Sequence, residues 1–420
     1  MSQIRSSYTD SINFYGGHSP LDLAQQFGTP LYVYNETVLR QRCRELKALS
    51  SLPGFGVNYS VKANTNPVLL RIIREEGLVV DAMSPGELYM DQLAGFTADE
   101  ILYISNNISE DELRNAVRHG VLISVDSLSQ VETLGRVNPG GKVMVRINPG
   151  ICAGHHAKVV TANFDVSPEL LDDLFAIHKK DDLHLAGINQ HIGSLFMEAD
   201  GYIAAAEVLL HLAERLPADV LEKLEVIDFG GGFGIPYHKY EDQPRLDMDD
   251  LGSRLHGLIS GWAEKTGYTG RFLVEPGRYV VAECGVLLGS VNATKTNGDS
   301  RYAGTDLGFN VLVRPAMYDS FHDVEVYGAQ GPDTETVEQS VVGNICESGD
   351  ILAKNRQLPL LHEGDVLGVL DAGAYGFVMS SSYNQRCRAA EILIQADGSV
   401  RLIRRRETLE DLAACYEGLL

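Results

Sequence analysis

Short apolar runs alternate with amphipathic stretches over the first two thirds of the chain. The runs are "VNYSVK" from residue 57, "LVVDAMS" from 78, "ILYIS" from 101, "LISVDS" from 122, "KVMVRINP" from 142, "LAGINQHIGS" from 185, "LEVIDFGGG" from 224 and "RFLVEPGR" from 271. They are continuous in apolar character, which suits parallel strands covered on both faces. Between them lie stretches such as "NPVLLRIIREEG" and "SPGELYMDQLAG", apolar at helical spacing and closed by a glycine. Eight β-then-α units predict a (β/α)8 barrel. No clear helix follows the eighth run. The amphipathic stretch "ETVLRQRCRELKAL", Glu36 to Leu49, with Asn35 as its N-cap, is expected to fill the vacant place in the helical ring.

After about Tyr279 the pattern changes to long runs rich in Val, Thr, Tyr and Gly: "YVVAECGVLLGSVNATKTN", "ETVEQSVVGNICESGD", "DVLGVLDAGAYG" and "RAAEILIQADGSVRLIRR". This is an antiparallel β pattern, with "ADGS" as a hairpin turn. The chain is therefore expected to be α/β overall: a barrel over residues 30–278 and an all-β sandwich or β-barrel over 279–420. Residues 1–29 are expected to join the second domain, with an extra strand around "LYVYN".

Composition narrows the function classes. A length of 420 residues exceeds one typical core, and 44% hydrophobic with 22% charged residues is globular. The first thirty residues lack a basic-then-apolar pattern and no run approaches a membrane span, so a cytoplasmic protein without membrane partners is expected. Six cysteines, at 43, 152, 284, 346, 387 and 415, show no C-x-x-C pair, which points to free thiols and no metal site. A formal charge of −22 opposes nucleic acid and anionic lipid. The one basic cluster, "RLIRRR" from Arg401 to Arg406, alternates with Leu402 and Ile403 as a strand with one solvated face does.

Chemistry in an eight-stranded α/β barrel sits at the C-terminal strand ends. Those ends carry Lys62, Asp81 and Ser84, Asn106, Asp126, Arg146 and Asn148, His191 and Ser194, Gly230 to Gly232, and Glu275 with Arg278. Asp126 and Asn148 suit caps or turns. "GGGFG" at 230–234 lacks the spacing of a dinucleotide fingerprint, because Ile235 stands in the last position. Gly230, Gly231 and Gly232, with Gly277 of "EPGR", instead offer bare amides for a phosphate after the seventh and eighth strands. A lysine, a phosphate cradle, an imidazole and a carboxyl on one rim match the needs of pyridoxal 5'-phosphate. Lys62 would hold its aldehyde, Glu275 its ring nitrogen and His191 its ring face, with Asp81 among the cofactor-side residues.

Eight motifs in order carry a resemblance over nearly the whole chain: "YSVKAN", "HIGS", "GGGFGIPY", "EPGR", "RPAMY", "CESGD", "GAYG" and "SSYNQR". Together they resemble the fold-type III pyridoxal-phosphate decarboxylases, most closely those acting on diaminopimelate. The resemblance implies a barrel plus a β-domain. It makes Lys62 the lysine bonded to the cofactor, His191 the ring-stacking residue, Ser194 with Gly230–Gly232 the phosphate site, and Glu275 the pyridinium partner. Arg278, Arg314, Tyr318, Glu347 and Tyr375 match substrate or cofactor contacts, and Cys346 matches the proton donor. The "CESGD" loop of this family serves the partner subunit's site, so a homodimer is implied. Departures fall at "NFDV", Asn163 to Val166, at Leu195 after "HIGS", and at Cys387 in "NQRCR". Glu275 stands where racemases of the same architecture carry an arginine, which favours electron withdrawal and decarboxylation. Non-catalytic carriers of the cofactor lack a β-domain.

Arg278 and Arg314 suit a substrate with a second carboxylate, and Glu347 suits its distal ammonium. The expected reaction is decarboxylation of meso-2,6-diaminopimelate to L-lysine. The alternative is decarboxylation of another basic amino acid, such as ornithine, lysine, arginine or carboxynorspermidine.

Overall fold

The computed structural model describes residues 7–150, 182–328 and 336–419. Two compact units are present. One comprises Arg40–Ile235 and Arg245–Val280; the other comprises the described residues of Met1–Leu39, Pro236–Pro244 and Val281–Leu420.

The first unit is a closed parallel barrel of eight strands: β2 (Phe55–Tyr59), β3 (Val79–Ala82), β4 (Ile101–Ile104), β5 (Leu122–Val125), β6 (Lys142–Ile147), β7 (His184–Gln190), β8 (Val226–Asp228) and β9 (Arg271–Val274). Phe55 pairs with Phe272 and closes the ring. Six of the strands fall within the apolar runs, while β2 begins two residues ahead of its run, at Phe55, and β7 one residue ahead, at His184. Leu102, Ile104, Met144, Val226 and Leu273 fill a buried cluster inside the unit. Gly187 makes room for it, since a Cβ there would lie 2.6 Å from Met144 Cγ.

Side-chain caps set the helix starts. Asn66 caps Pro67–Glu75, Ser84 caps Pro85–Ala94, Ser109 caps Glu110–His119 and Ser127 caps Leu128–Val137. Ser127, not Asp126, is thus the cap after β5. Asn148 makes a turn, its Oδ1 accepting from Gly150 N at 3.1 Å. Asn35 caps the helix Glu36–Lys47 by accepting from Val38 N at 2.9 Å. Arg40 and Arg44 of that helix pair with Glu75 and Glu76, beside the first barrel helix. At its exit, Leu49 packs on Gly252 of the helix Met248–Thr266. The helix therefore lies between the helix that follows β2 and the helix that follows β8, in the place left vacant after β9.

The second unit is a nine-stranded sheet ordered β14-β13-β11-β10-β1-β16-β17, with β15 paired to β10 and to β12. Its strands are β1 (Leu31–Asn35), β10 (Gly285–Asn297), β11 (Ser300–Thr305), β12 (Val324–Tyr327), β13 (Thr336–Val342), β14 (Ile351–Pro359), β15 (Val366–Val369), β16 (Ala390–Ile394) and β17 (Val400–Arg404). Two pairings, β1 with β16 and β11 with β13, are parallel, against the purely antiparallel expectation. A boundary at residue 30 would assign "LYVYN" to the barrel. The strand instead pairs with β10 and β16, because all five of its side chains are buried there. Pro236–Pro244 also lies in this unit. The core gathers Phe14, Tyr15, Leu31, Val33, Val286, Leu288, Ile392 and Ile394. "ADGS" is the β16–β17 turn, closed by Gln395 N to Ser399 O at 2.8 Å with Gly398 at φ +82°. The arginines beyond it are met by acids, Arg404 by Glu407, which also meets Arg388 before β16, and Arg405 by Asp411. No helix among the described residues is long and apolar enough to cross a membrane.

Candidate active site

The short 3-10 turn Val61–Ala63 follows β2 and carries Lys62 off the strand end. Lys62 Nζ lies 3.9 Å from Met83 Sδ. Asp81, fully buried on β3, anchors the base of that turn. It accepts from Ser60 Oγ at 2.8 Å and from Val61 N at 3.0 Å. Burial raises its carboxyl, while the Lys62 charge and the two hydrogen bonds oppose the rise. Ser60 also donates its backbone N–H to Pro276 O at 3.2 Å, so the lysine turn is tied to the loop after β9.

Glu275 ends β9 in that loop. Its Oε1 is buried and has no hydrogen-bond partner. Burial drives its carboxyl well above the ordinary range, Asp228 and Asp81 add to this, and Lys62 and Arg146 oppose it. Asp228 at the end of β8 is held up at about 7, again by burial first. His191, just past β7, is pushed well below its usual range by burial and by the charges of Lys62 and Arg146, so it is neutral. Arg146 donates to Asn106 Oδ1 at 3.4 Å, and Asn106 donates to Asp126.

The glycine turn after β8 is seated by backbone contacts that exclude any side chain. A Cβ on Gly230 would lie 2.1 Å from Gln190 O, one on Gly231 1.8 Å from Glu275 O, and one on Gly232 2.7 Å from Gly193 O. Gly230 and Gly232 also have positive φ, +73° and +109°. The bare-amide reading fails for Gly230, whose N–H donates to Asp228 Oδ1 at 2.9 Å. A carboxylate two residues back in a tight turn captures that donor first. Ser194, beside Gly193, accepts from Arg278 Nη2 at 3.1 Å. Lys62, Asp81, His191, Ser194, Gly230, Gly231, Gly232, Glu275, Gly277 and Arg278 are thus all carried by one unit, at or just beyond its strand ends.

The remaining candidates belong to the β unit. Cys346 and Glu347 are exposed. Two distant motifs meet there: Cys346 N donates to Asn384 Oδ1 at 2.9 Å, Tyr383 OH to Glu347 Oε1 at 2.7 Å, and Arg386 Nη2 to Asn344 O at 3.0 Å. Asp350 pins the loop base by accepting from Ile345 N and Phe309 N. Arg314 is buried at the start of the helix Arg314–Tyr318, and Tyr318 is half exposed. Tyr375 sits at φ +55° in the loop opened by Asp371, which pairs with buried Lys239 at 3.4 Å; Glu283 meets the same ammonium at 2.6 Å. Of the departures, Leu195 takes φ +65° and Cys387 is half-buried, while Asn163–Val166 lie outside the described residues.

Sequence reasoning overlooked Ser60, Asp228 and His322. Ser60 and Asp228 stand inside motifs already singled out, "YSVKAN" and "VIDFGGG", and their short polar side chains before a turn were the available signal. His322 carries no comparable local mark.

A pyridoxal phosphate would fit this chemistry. The orphaned Glu275 oxygen calls for a buried N–H donor, the glycine turn leaves backbone but no side chain at a rim, and a lysine stands on the same rim. Residues 37–282 match the family model of the pyridoxal-binding domain of pyridoxal-dependent decarboxylases. The chain is 42% identical to a diaminopimelate decarboxylase of Methanothermobacter thermautotrophicus, covering 94% of each sequence. A crystal structure of diaminopimelate decarboxylase from Helicobacter pylori complexed with L-lysine superposes with a TM-score of 0.85 at 28% identity, over 95% of this chain and 99% of that one. A lysine/ornithine decarboxylase from Vibrio vulnificus, complexed with cadaverine, follows at 0.75 and 25%, over 90% and 96%.

Proposed function

The chain belongs to the pyridoxal-dependent decarboxylase family, and from that premise we propose that it converts meso-2,6-diaminopimelate to L-lysine and carbon dioxide. The observation that carries the cofactor half is the buried, unpartnered Glu275 oxygen on the same rim as Lys62. The substrate half rests on the likeness to diaminopimelate decarboxylases over nearly the full length and on the arginines available for a second carboxylate.

Bound pyridoxal phosphate supplies the electron sink that lets a Cα–carboxylate bond break. The chain's own residues do the rest. Lys62 would hold the cofactor's aldehyde through its amine. Asp81 fixes the turn from which that amine projects. Glu275 would hold the protonated ring nitrogen through a charge-assisted hydrogen bond from that N–H to its carboxyl oxygen. His191, being neutral, would lay an uncharged ring face against the cofactor. Gly231, Gly232 and Gly277 offer backbone, and Ser194 with Arg278 polar side chains, toward the phosphate end. Arg278 of the barrel unit, and Arg314 with Tyr318 of the β unit, each suit a carboxylate through forked, charge-assisted bonds, and Glu347 suits an ammonium. Tyr375 contacts the bound molecules, and Cys346 delivers the proton to Cα.

We also infer a homodimer in which the "CESGD" loop of one chain serves its partner's barrel. The exposure of Cys346 and Glu347 supports that assignment. Cys43, Cys284, Cys346, Cys387 and Cys415, none of them in a disulfide, suit a reducing, cytoplasmic setting.

The test is product analysis after incubation of the cofactor-loaded protein with meso-diaminopimelate, L-lysine and L-ornithine separately. Lysine from diaminopimelate supports the proposal. Strong release of cadaverine or putrescine with no lysine formed from diaminopimelate overturns it in favour of the basic-amino-acid reading.

A further inference from the structure

His322 is buried, 2% exposed, and is flanked by two groups of fixed hydrogen-bond character. Its Nδ1 lies 2.7 Å from Leu370 O. A carbonyl only accepts, so Nδ1 carries the hydrogen. Its Nε2 lies 2.8 Å from Arg314 Nη1. A guanidinium only donates, so Nε2 carries the lone pair. The two contacts together set one neutral tautomer. Tyr237 completes the arrangement: its ring meets the His322 ring edge-on at 5.3 Å and 79°, and Arg314 Cζ stands 4.9 Å over it. Ser320 Oγ lies 3.4 Å from Arg314 Nη2.

We infer that His322 is a positioning residue for substrate selection, aiming Arg314 at the distal carboxylate without cancelling its charge. This rests on the reading that Arg314 binds that carboxylate. The physical case is a comparison of possible partners for an arginine that must also bind an anion. A carboxylate in the His322 position would orient the guanidinium but neutralise it. A water would leave it charged but movable. A neutral imidazole whose hydrogen is locked onto a backbone carbonyl accepts one N–H in a fixed direction and contributes no net charge. The Tyr237 ring face restrains the guanidinium plane at no cost in charge. His322 itself is held from behind, since Arg356 Nη1 donates to its backbone carbonyl at 3.1 Å while pairing with Asp323.

The experiment compares His322→Leu, His322→Gln and Arg314→Ala as cofactor-loaded enzymes, assayed with diaminopimelate and with whichever of lysine or ornithine shows residual turnover. Leu fills the space but removes the acceptor. Gln supplies one acceptor and one donor from a single amide. His322→Leu is expected to raise KM for diaminopimelate roughly tenfold to a hundredfold with kcat changed little, as loss of a hydrogen bond to a charged group implies. Turnover of the substrate lacking the distal carboxylate should be nearly unmoved, and His322→Gln should recover most of the lost affinity. In the wild type, nitrogen NMR of labelled histidine should show a protonated Nδ1 and a lone-pair Nε2 for His322. A wild-type KM in His322→Leu, an equal loss on both substrates without rescue by Gln, or the opposite tautomer overturns the inference. If Arg314→Ala leaves KM for diaminopimelate unchanged, the underlying reading of Arg314 fails instead. If Arg314→Ala raises it and His322→Leu does not, only the positioning role fails.

Discussion

Asp228 Oδ1 accepts the backbone N–H of Gly230 at 2.9 Å, so a carboxyl at the end of β8 builds the glycine turn from beneath. The same carboxyl lies close enough to Glu275 to raise that residue's affinity for a proton. One residue therefore shapes both the phosphate end and the ring-nitrogen end of the proposed site. Asp228→Ala removes the acceptor and should weaken pyridoxal phosphate binding by about tenfold or more. Asp228→Asn keeps an acceptor oxygen and should lose much less. Absorbance titration of apoprotein with the cofactor measures both; equal weakening by the two substitutions would remove the turn-building role.

Lys62 should carry the cofactor. The loaded protein is expected to be yellow, and borohydride should trap the cofactor on a peptide containing Lys62. Lys62→Ala should show neither the trapped peptide nor the wild-type band, and turnover should fall by at least about a thousandfold. An unchanged band in that variant places the linkage elsewhere.

The shared-site reading predicts complementation. Cys346 lies in the β unit and Lys62 in the barrel, so Lys62→Ala and Cys346→Ala proteins, each nearly inactive, should regain part of the activity once their subunits exchange. Mixed dimers would hold one intact site. Demonstrated exchange with no recovered turnover would count against a site built from two chains.

Asp91 should make stability depend on pH. It is fully buried in the helix Pro85–Ala94, and neither carboxyl oxygen has a hydrogen-bond partner. Burial first, then Asp81 and Glu87, push it up to about 9. The folded chain therefore keeps a proton that the unfolded chain releases above about pH 4. Since the native state binds more protons, stability from this group is complete below that value and is lost as pH rises toward 9, at a slope approaching about 1.4 kcal/mol per pH unit. Asp91→Asn should flatten the fall in melting temperature between pH 6 and 9. Parallel wild-type and variant curves would show that Asp91 is not the titrating group.

The eight barrel strands were legible because burial on both faces writes a continuous apolar run into each strand, independently of its neighbours. The Asn35 cap and the "ADGS" hairpin were legible for the same reason, since their chemistry lies within a few residues of itself, although the cap after β5 fell to Ser127 and not to Asp126. The lysine, the glycine turn and Glu275 could be read off strand ends because the fold places those ends on one rim. Partnerships between remote segments were decided only by tertiary structure. Nothing local distinguishes a strand that pairs in parallel, as β1 does with β16, from one that does not. The sequence around Gly230 offers a carboxyl two residues back, but only the turn's final geometry commits the Gly230 amide to Asp228. His322 is the clearest case. Its tautomer is dictated by a carbonyl 48 residues away and an arginine eight residues away, and hydrogen-bond direction exists only once those atoms are within 3 Å.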